Sequence, residues 1–204
     1  MHPEQSAQVA GVILAAGQGS RMGSFPKQLL ELKGKWLLQH AIDHALRSLL
    51  DELVIVLGYE YAQVRELIWE GWHGQIVVNP HYPEGQSGSV QAGIRTVSAS
   101  MNAAMMLLGD QPGVTTDIID QLVDVYTRKR PLLVVPRYNS KRGNPVIIDR
   151  SLFAEIENLT GDTGAKSLLD AHASEIEYLD FPFPAPRDID THDDLEFVKR
   201  ELGG

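Results

Sequence analysis

The sequence predicts an α/β protein of three layers, in which helices cover both faces of a mostly parallel β-sheet. Two observations support this fold class. Short, uniformly apolar runs, which are typical of strands buried on both faces, alternate with segments of helical period. After Pro136, two short β-like runs are joined by a polar link that contains glycine, which predicts a hairpin. The expected architecture is therefore a three-layer α/β/α fold, with a Rossmann-like sheet and an antiparallel addition.

The first two thirds of the chain supplies most of the parallel strands. The run over residues 9–15 is apolar and ends in glycines, as expected for a buried strand that feeds a loop. The other strands predicted from apolar runs are 53–57 (LVIVL), 75–78, 103–108 (AAMMLL) and 132–136. The helices predicted between them are 36–50, 61–69, 88–97 and 116–129.

The last third changes pattern. The segment VVPRYNSKRGNPVIID carries the predicted hairpin. Beyond it, the spacing of apolar residues predicts helices over 151–159, 164–172 and 195–202, and a strand over 176–181. The Pro-rich FPFPAP predicts a short extended link rather than a domain boundary. We therefore expect a single domain over residues 1–204, with a flexible N-terminus over 1–8.

Composition and charge exclude several classes of protein. The 204 residues are 43% hydrophobic and 22% charged, as in ordinary globular proteins. No apolar run approaches the roughly 20 residues that span a bilayer, and the polar MHPEQSAQ does not resemble a signal peptide, so we expect a cytoplasmic protein without membrane contact. A formal charge of −9 argues against binding to nucleic acid. Because the chain has no cysteine, disulfides and cysteine nucleophiles are excluded.

The stretch GVILAAGQGSRMGSFPK runs from the first predicted strand into a glycine-rich turn. Gly17, Gly19 and Gly23 allow backbone N–H groups to approach a ligand closely and to form an anion-binding concavity. Arg21 and Lys27 add the positive charge that suits a polyphosphate. The dinucleotide fingerprint GxGxxG and the Walker pattern GxxxxGK[ST] both fail to match. A tight turn with two solvated cations remains the alternative.

Two polar segments follow predicted strands at the same edge of the sheet. Asp110, in GDQP, comes directly after the strand 103–108, where a carboxylate is suited to Mg²⁺ beside phosphate oxygens. The alternative is a turn aspartate before proline. NPHYPEGQSGS, over 79–89, is a glycine-rich loop that enters a helix and suits a ribose or phosphate. Here the alternative is a simple N-cap by Ser87.

Three later segments contribute further candidates. In DIDTHDDL, Thr191 and Asp194 are spaced as a capping box, which leaves Asp190 outside the cap as a candidate second metal ligand. RGNP (142–145) and TGDTGAK (160–166) are polar turns, and each suits a binding role. The alternative is that they are only a hairpin turn or a capped helix start. His40 and His44 have the spacing of two zinc ligands, but the sequence HAIDH lacks the Glu of HExxH, so we interpret them as packing residues.

Taken together, these motifs resemble those of a known enzyme family. LAAGQGSRMGSFPK resembles the signature LAAGxGxRMG…K of the nucleotidyltransferases related to molybdenum cofactor cytidylyltransferase and molybdenum cofactor guanylyltransferase. NPHYPEGQSGS, GDQP and DIDTHDDL resemble later segments of the same family. The resemblance extends from Val9 to about Leu202. It implies a nucleotide-diphospho-sugar transferase-like fold.

The resemblance also implies roles for individual residues. The implied catalytic residues are Arg21, Lys27 and Asp110. The implied metal ligands are Asp110 and Asp190, with Mg²⁺ as the cofactor. The implied nucleotide-binding residues are Leu14, Ala15, Ala16, Gly17, Gly19, Arg21, Lys27, Asn79, Gly85, Ser87 and Ser89. The implied acceptor-binding residues are Arg142, Gly143, Asn144, Gly161, Asp162 and Lys166.

The activity implied by the resemblance is Mg-dependent transfer of CMP from CTP to molybdenum-loaded molybdopterin, with release of pyrophosphate. LAAG rather than LAGG favours the cytidylyl branch of the family. The expected partners are the two small-molecule substrates, CTP and molybdopterin, and a molybdoenzyme that receives the cofactor. Two alternatives remain open: a nucleotidyltransferase that acts on a sugar phosphate or another phosphorylated small molecule, and a non-catalytic cofactor carrier.

Overall fold

The computed structural model describes residues 7–19, 25–68, 72–163 and 165–203. The strands are β1 (Val9–Ala15), β2 (Glu31–Leu32), β3 (Lys35–Trp36), β4 (Glu52–Leu57), β5 (Gln75–Val78), β6 (Ala103–Leu108), β7 (Leu133–Tyr138), β8 (Lys141–Arg142), β9 (Val146–Asp149) and β10 (Ile176–Phe181). The α-helices are α1 (Leu37–Leu46), α2 (Tyr61–Leu67), α3 (Gln86–Thr96), α4 (Thr116–Lys129), α5 (Phe153–Ile156), α6 (Lys166–Ala171) and α7 (His192–Gly203). Within these described residues, no helix is long and apolar enough to cross a membrane.

One large sheet forms the middle layer, with the strand order β10-β7-β9-β6-β1-β4-β5 and β8 paired to β7. β1 runs parallel to both of its neighbours, β4 and β6, and β10 runs parallel to β7. β9 lies between β6 and β7 and is antiparallel to both. The predicted mostly parallel sheet with an antiparallel addition is therefore confirmed.

The two faces of this sheet are buried against different helices. Along β1, Ile13 points into a core that it shares with α1, α2 and α4, whereas its neighbour Val12 points into a core shared with α3, α5 and α6. Successive strand residues point to opposite faces, so a strand that is apolar at every position is buried on both sides. The predicted three α/β/α layers follow directly from this pattern.

A smaller third core closes the edge of the molecule near α7. Leu32 of β2, Leu37 of α1 and Ile189 pack there against Leu195 and Val198 of α7. This cluster fixes the segment that precedes α7, because the Ile189 side chain is fully buried in it.

Several element boundaries differ from those predicted. The predicted helix 36–50 ends at Leu46, and the predicted helix 151–159 becomes a short 3-10 turn followed by α5. The predicted flexible segment 1–8 lies mostly outside the described residues. Its last two residues are anchored, since Ala7 is buried and the Gln8 N–H donates to Asn102 Oδ1 at 2.9 Å.

The β2–β3 hairpin was not predicted. Its two-residue turn consists of Lys33 and Gly34, and both have positive φ (52° and 74°). Such turns match the twist of a hairpin, and glycine at the second position is their usual sequence signal. The strands have only two residues each, so no alternating pattern precedes the turn.

Candidate active site

The order of the strands locates the site. The chain passes from β1 to β4 and β5 on one side and then returns to place β6 on the other side of β1. Ligands of open α/β sheets bind beyond the carboxyl ends of the strands at such a switch point. A cavity of about 400 Å³ lies there. It is bounded by residues 14–19 at and beyond the end of β1, residues 108–110 at and beyond the end of β6, and the loop that enters α3.

The loop after β1 is held in place by Gln28. Its side chain is buried, and Nε2 donates to the carbonyl oxygens of Ala15 and Gly17 at 2.8 and 2.9 Å. Gly19 adopts φ +62°, a conformation that glycine takes at little cost. The loop main chain therefore lines the cavity, as expected for a loop that meets a ligand through its backbone.

Lys27 stands at the centre of the charged part of the site. Its Nζ donates to Asp190 Oδ1 at 3.0 Å and also forms a short ion pair with Asp110 Oδ2. The side chains of Lys27 and Asp110 are 13% and 17% exposed, and that of Asp190 is 39% exposed. One ammonium group thus joins carboxylates that come from the ends of β6 and of the segment before α7.

Burial and the neighbouring charges shift the pKa values of Lys27 and Asp188. Burial alone lowers the pKa of Lys27, but the carboxylates of Asp110 and Asp190 outweigh burial and raise it above its ordinary value. Burial, and then the negative charge of Asp110, raise the pKa of the nearby Asp188 carboxyl. The site therefore holds Lys27 in its charged form at neutral pH, where it can neutralise an anionic ligand.

The segment that carries Asp190 is tied to the loop after β6. The Ile189 N–H donates to the Asp110 carbonyl oxygen at 3.0 Å. The predicted capping box at the start of α7 is confirmed, because the Asp194 N–H donates to Thr191 Oγ1 at 3.2 Å and the Thr191 N–H donates to Asp194 Oδ2 at 3.0 Å. The N–H of Asp190, immediately before this cap, also donates to Asp194 Oδ2 at 3.4 Å, while its carboxylate accepts from Lys27.

The start of α3 forms the opposite wall. The Gln86 N–H donates to Asp162 Oδ1 at 3.2 Å, and the Ser87 hydroxyl donates to the Gly161 carbonyl oxygen at 2.6 Å. The alternative reading of Ser87 as an N-cap is therefore wrong: α3 begins at Gln86, two residues before the predicted start at residue 88, and Asp162 supplies the acceptor from a distant turn. Ser89 lines the cavity and accepts from Asn79 Nδ2 at 3.0 Å.

The structure brings together only part of the predicted binding set. The predicted residues that line the cavity are Leu14, Ala15, Ala16, Gly17, Gly19, Lys27, Gly85, Ser89, Asp110 and Asp162. Asn79, Ser87 and Gly161 instead line a second cavity of about 540 Å³ beside α3. Arg21 and Gly23 lie outside the described residues.

The remaining predicted acceptor residues lie away from the cavity lining. Arg142 Nε donates to the Tyr178 hydroxyl at 2.8 Å, and the Asn144 carbonyl accepts from the Tyr138 hydroxyl at 2.8 Å. Gly143 packs against the Tyr138 ring, which a Cβ would approach to 2.7 Å. Lys166 is exposed at the start of α6. An acceptor role for these residues stays a prediction.

Sequence reasoning missed three polar residues of the site. Gln28 holds the β1 loop, Gln111 contacts the segment before α7, and Asp188 accepts a hydrogen bond from Gln111. Gln28 and Gln111 each directly follow a predicted catalytic residue, and both are buried, 2% and 6% exposed. That adjacency is the one signal that could have drawn attention to them.

The site contains two carboxylates that are candidate metal ligands. In the described parts of the chain, no group of three or more His, Asp or Glu side chains is arranged to hold a metal ion. Asp110 and Asp190 converge on one cation, Lys27. Mg²⁺ is commonly bound by one or two carboxylates together with substrate phosphates and water, so this pair fits it. His40 and His44 bond Leu32 and Thr116, in agreement with their reading as packing residues.

Comparison with known proteins agrees with the geometry of the site. Residues 11–176 match the family model described as MobA-like NTP transferase domain. Nicotine blue oxidoreductase of Paenarthrobacter nicotinovorans is 32% identical over 170 residues, which cover 79% of this chain and 81% of that protein. Molybdenum cofactor cytidylyltransferase of Escherichia coli is 27% identical over 191 residues, which cover 92% of this chain and 94% of the relative.

Solved structures give the same picture. The crystal structure of Rv0371c from Mycobacterium tuberculosis superposes with a TM-score of 0.86 and 28% identity, covering 96% of this chain and 99% of that one. The structure of Rv0371c in complex with manganese gives a TM-score of 0.83 over 95% of this chain and 99% of that chain. The fold is nucleotide-diphospho-sugar transferase-like, as predicted. A glycine-rich loop at the switch point, a matching family model and a cytidylyltransferase relative lead to one conclusion: this chain belongs to the MobA-like NTP transferase domain family and is a nucleotidyltransferase.

Proposed function

We propose that the protein transfers CMP from CTP to molybdenum-loaded molybdopterin in a Mg-dependent reaction that releases pyrophosphate. Its similarity to the Escherichia coli cytidylyltransferase, over nearly the whole of both chains, supports this donor and this acceptor. In the reaction, a terminal phosphate oxygen of the acceptor attacks the α-phosphorus of CTP. A new P–O bond forms as the bond between the α-phosphorus and its bridging oxygen breaks, and pyrophosphate leaves.

The observation that carries this proposal is the contact of Lys27 with Asp110 and Asp190 at the edge of the cavity. Phosphoryl transfer needs charge neutralisation and positioning more than it needs a protein nucleophile. A lysine beside two carboxylates supplies a cation for the phosphates together with oxygen ligands for a metal. Asp110 and Asp190 would hold Mg²⁺, which when bound neutralises charge on the phosphates undergoing transfer. The structure of the relative Rv0371c in complex with manganese supports the binding of a divalent cation by this protein.

The chain's own residues then have distinct tasks. The backbone of residues 14–19 surrounds the nucleotide, and Gln28 keeps that loop in place. Lys27, joined by Arg21, neutralises the β- and γ-phosphates as they depart. Because Lys27 is already held by Asp110 and Asp190 before the substrate arrives, its charge stabilises the transition state without reorganisation.

The test is pyrophosphate release with Mg²⁺, measured for CTP, GTP, ATP and UTP, each with and without molybdenum-loaded molybdopterin. We expect release with CTP that depends on the pterin and is lost in Asp110→Ala. Release with a sugar phosphate but not with the pterin would replace the acceptor. The same assay without added metal tests the Mg²⁺ requirement.

A second candidate is an oxidoreductase activity, because a relative with that name is 32% identical. The chain has no cysteine, so any redox chemistry would need a bound cofactor. Oxidation of a reduced nicotinamide cofactor, followed by absorbance without any nucleoside triphosphate present, would favour this candidate over nucleotidyl transfer.

A further inference from the structure

Asp110 and Asp190 both form ion pairs with Lys27, although they are 80 positions apart in the chain. The segment that carries Asp190 contacts Gln111, the residue directly after Asp110. Gln111 Nε2 donates to Asp188 Oδ1 at 2.5 Å and lies 3.5 Å from the Pro186 carbonyl oxygen. A single side-chain amide thus links the loop after β6 to two residues of the segment that leads into Asp190.

The chemistry of these contacts fixes how the amide is oriented. Both partners of Nε2 are oxygen acceptors, so only the NH₂ group of Gln111 can face them. Its other atom, Oε1, is buried and has no hydrogen-bond partner among the described residues. A buried polar atom without a partner disfavours folding and needs an explanation. The explanation is that the NH₂ group of the same amide holds the segment before α7.

The rest of this segment has its own anchor. Ile189 is fully buried among Leu32, Leu37 and the apolar face of α7. Since this packing does not involve Gln111, we expect the chain to fold without the amide. The amide fixes the position of residues 186–190 relative to the loop after β6. It therefore fixes the distance between the carboxylates of Asp110 and Asp190.

We propose that Gln111 is a positioning residue for nucleotidyl transfer, which acts through Asp188 and Pro186 to hold Asp190 beside Asp110. The proposal rests on the metal-dependent function proposed above. Gln111 does not touch the reacting groups. It resembles groups that do not bind a metal themselves but orient a residue that does. The loss of such a group typically weakens metal binding about 10- to 100-fold.

The experiment compares Gln111→Leu, Gln111→Glu, Asp188→Asn and the double variant Gln111→Glu/Asp188→Asn. Affinity for Mn²⁺ alone is measured from the electron paramagnetic resonance signal of free Mn²⁺, and kcat and the KM for Mg²⁺ are measured at saturating CTP. Gln39→Leu is the matched control, because Gln39 also donates to an aspartate, Asp43, at 2.7 Å but lies on α1 outside the cavity lining. Asp190→Asn serves as the reference for loss of the ligand itself.

We expect Gln111→Leu and Gln111→Glu to weaken Mn²⁺ binding by about 10- to 100-fold, and Gln39→Leu to leave it unchanged. Asp188→Asn keeps an oxygen that accepts from Gln111, so its affinity should stay near that of the wild type. The double variant exchanges donor and acceptor between the two positions and keeps the net charge. It should therefore recover most of the affinity lost in Gln111→Glu, a result that a merely structural role would not produce.

Two outcomes would overturn the proposal and leave the proposed function standing. One is wild-type Mn²⁺ affinity in Gln111→Leu while Asp190→Asn loses it. The other is a double variant that binds as weakly as Gln111→Glu, a result that stays informative even if Gln111→Leu fails to fold. Both the positioning role of Gln111 and the proposed function would be overturned by two results together. These are turnover of the wild type without a divalent cation, and Mn²⁺ binding that does not change in Asp190→Asn.

Discussion

Gly85 and Gly161 are in direct contact: a Cβ built on Gly85 would lie 2.4 Å from the carbonyl carbon of Gly161. Gly85 precedes α3 and lines the cavity, and Gly161 belongs to the TGDTGAK turn. Gly85 also has φ 119° and ψ 173°, a conformation that side chains other than glycine rarely adopt. Two turns that are far apart in sequence therefore meet this closely because Gly85 carries no side chain, whereas a Cβ on Gly161 would meet no atom within 4 Å.

Replacement of Gly85 by alanine should destabilise the protein and weaken the cavity wall. The backbone conformation alone costs about 1–3 kcal/mol for a non-glycine residue, and the clash with Gly161 adds to that cost. Gly34→Ala is the control, since Gly34 has φ +74° but no atom within 4 Å of the added Cβ, so only about 1 kcal/mol is expected. Urea unfolding gives both values. Equal losses in the two variants would show that the contact with Gly161 is unimportant.

Lys27→Met should slow turnover strongly but strengthen metal binding in the absence of nucleotide. The ammonium now neutralises Asp110 and Asp190, so its removal leaves two neighbouring carboxylates without a counter-ion. We expect kcat to fall by about 10²- to 10³-fold, as for the loss of a group that stabilises charge in the transition state. Mn²⁺ titration of the nucleotide-free protein should show tighter binding than in the wild type.

The control for that variant is Lys35→Met. Lys35 also pairs with an aspartate, Asp43, but its side chain is half exposed and lies outside the cavity lining. An exposed ion pair contributes little to stability, so turnover and Mn²⁺ affinity should both stay at wild-type values. Weaker Mn²⁺ binding in Lys27→Met would argue that the carboxylates do not form a metal site.

Gln28→Leu should raise the KM for the nucleotide more than it lowers kcat. The variant removes the amide that donates to the carbonyl oxygens of Ala15 and Gly17. The loop that lines the cavity is then no longer held in place. The two carbonyls lose a buried partner, at a cost of about 1–3 kcal/mol in the free energy of unfolding. Steady-state kinetics and urea unfolding measure both effects. Gln63→Leu removes an exposed contact to Glu60 and should change neither quantity.

Much of this fold was predictable because its signals are local. Runs such as LVIVL are apolar at every position, and that property alone marks β4 as buried on both faces. Local signals also placed the candidate residues Lys27 and Asp110 in loops that follow strands of a parallel sheet, where ligands bind. The ion pair that joins the two side chains there was not predicted.

What escaped prediction depends on contacts between distant positions. Gln111 and Asp188 are 77 residues apart, and neither belongs to a periodic pattern that would indicate a partner. The same holds for Asp162, whose carboxylate accepts from the first N–H of α3 across 76 residues. A helix start normally takes its cap from the preceding residue, so the sequence offered Ser87 as the alternative reading and gave no indication of a cap from another turn.

A final prediction concerns pH and His172, which bridges two carboxylates near α6. Its Nδ1 and Nε2 lie 2.7 Å from Glu175 and 2.9 Å from Glu155, and hydrogen bonds to Glu155 and then Glu175 raise the pKa of the imidazole above its ordinary value. A raised pKa in the folded state means that the bridge stabilises the protein below the unfolded pKa, about 6.5, and that this contribution disappears as pH rises through the folded value. His172→Gln should therefore lose stability relative to the wild type at pH 5.5, and the two proteins should converge by pH 8.5. Urea unfolding across this range measures the difference. A gap between them that does not change with pH would mean that the charge on His172 contributes nothing, and that only its packing matters.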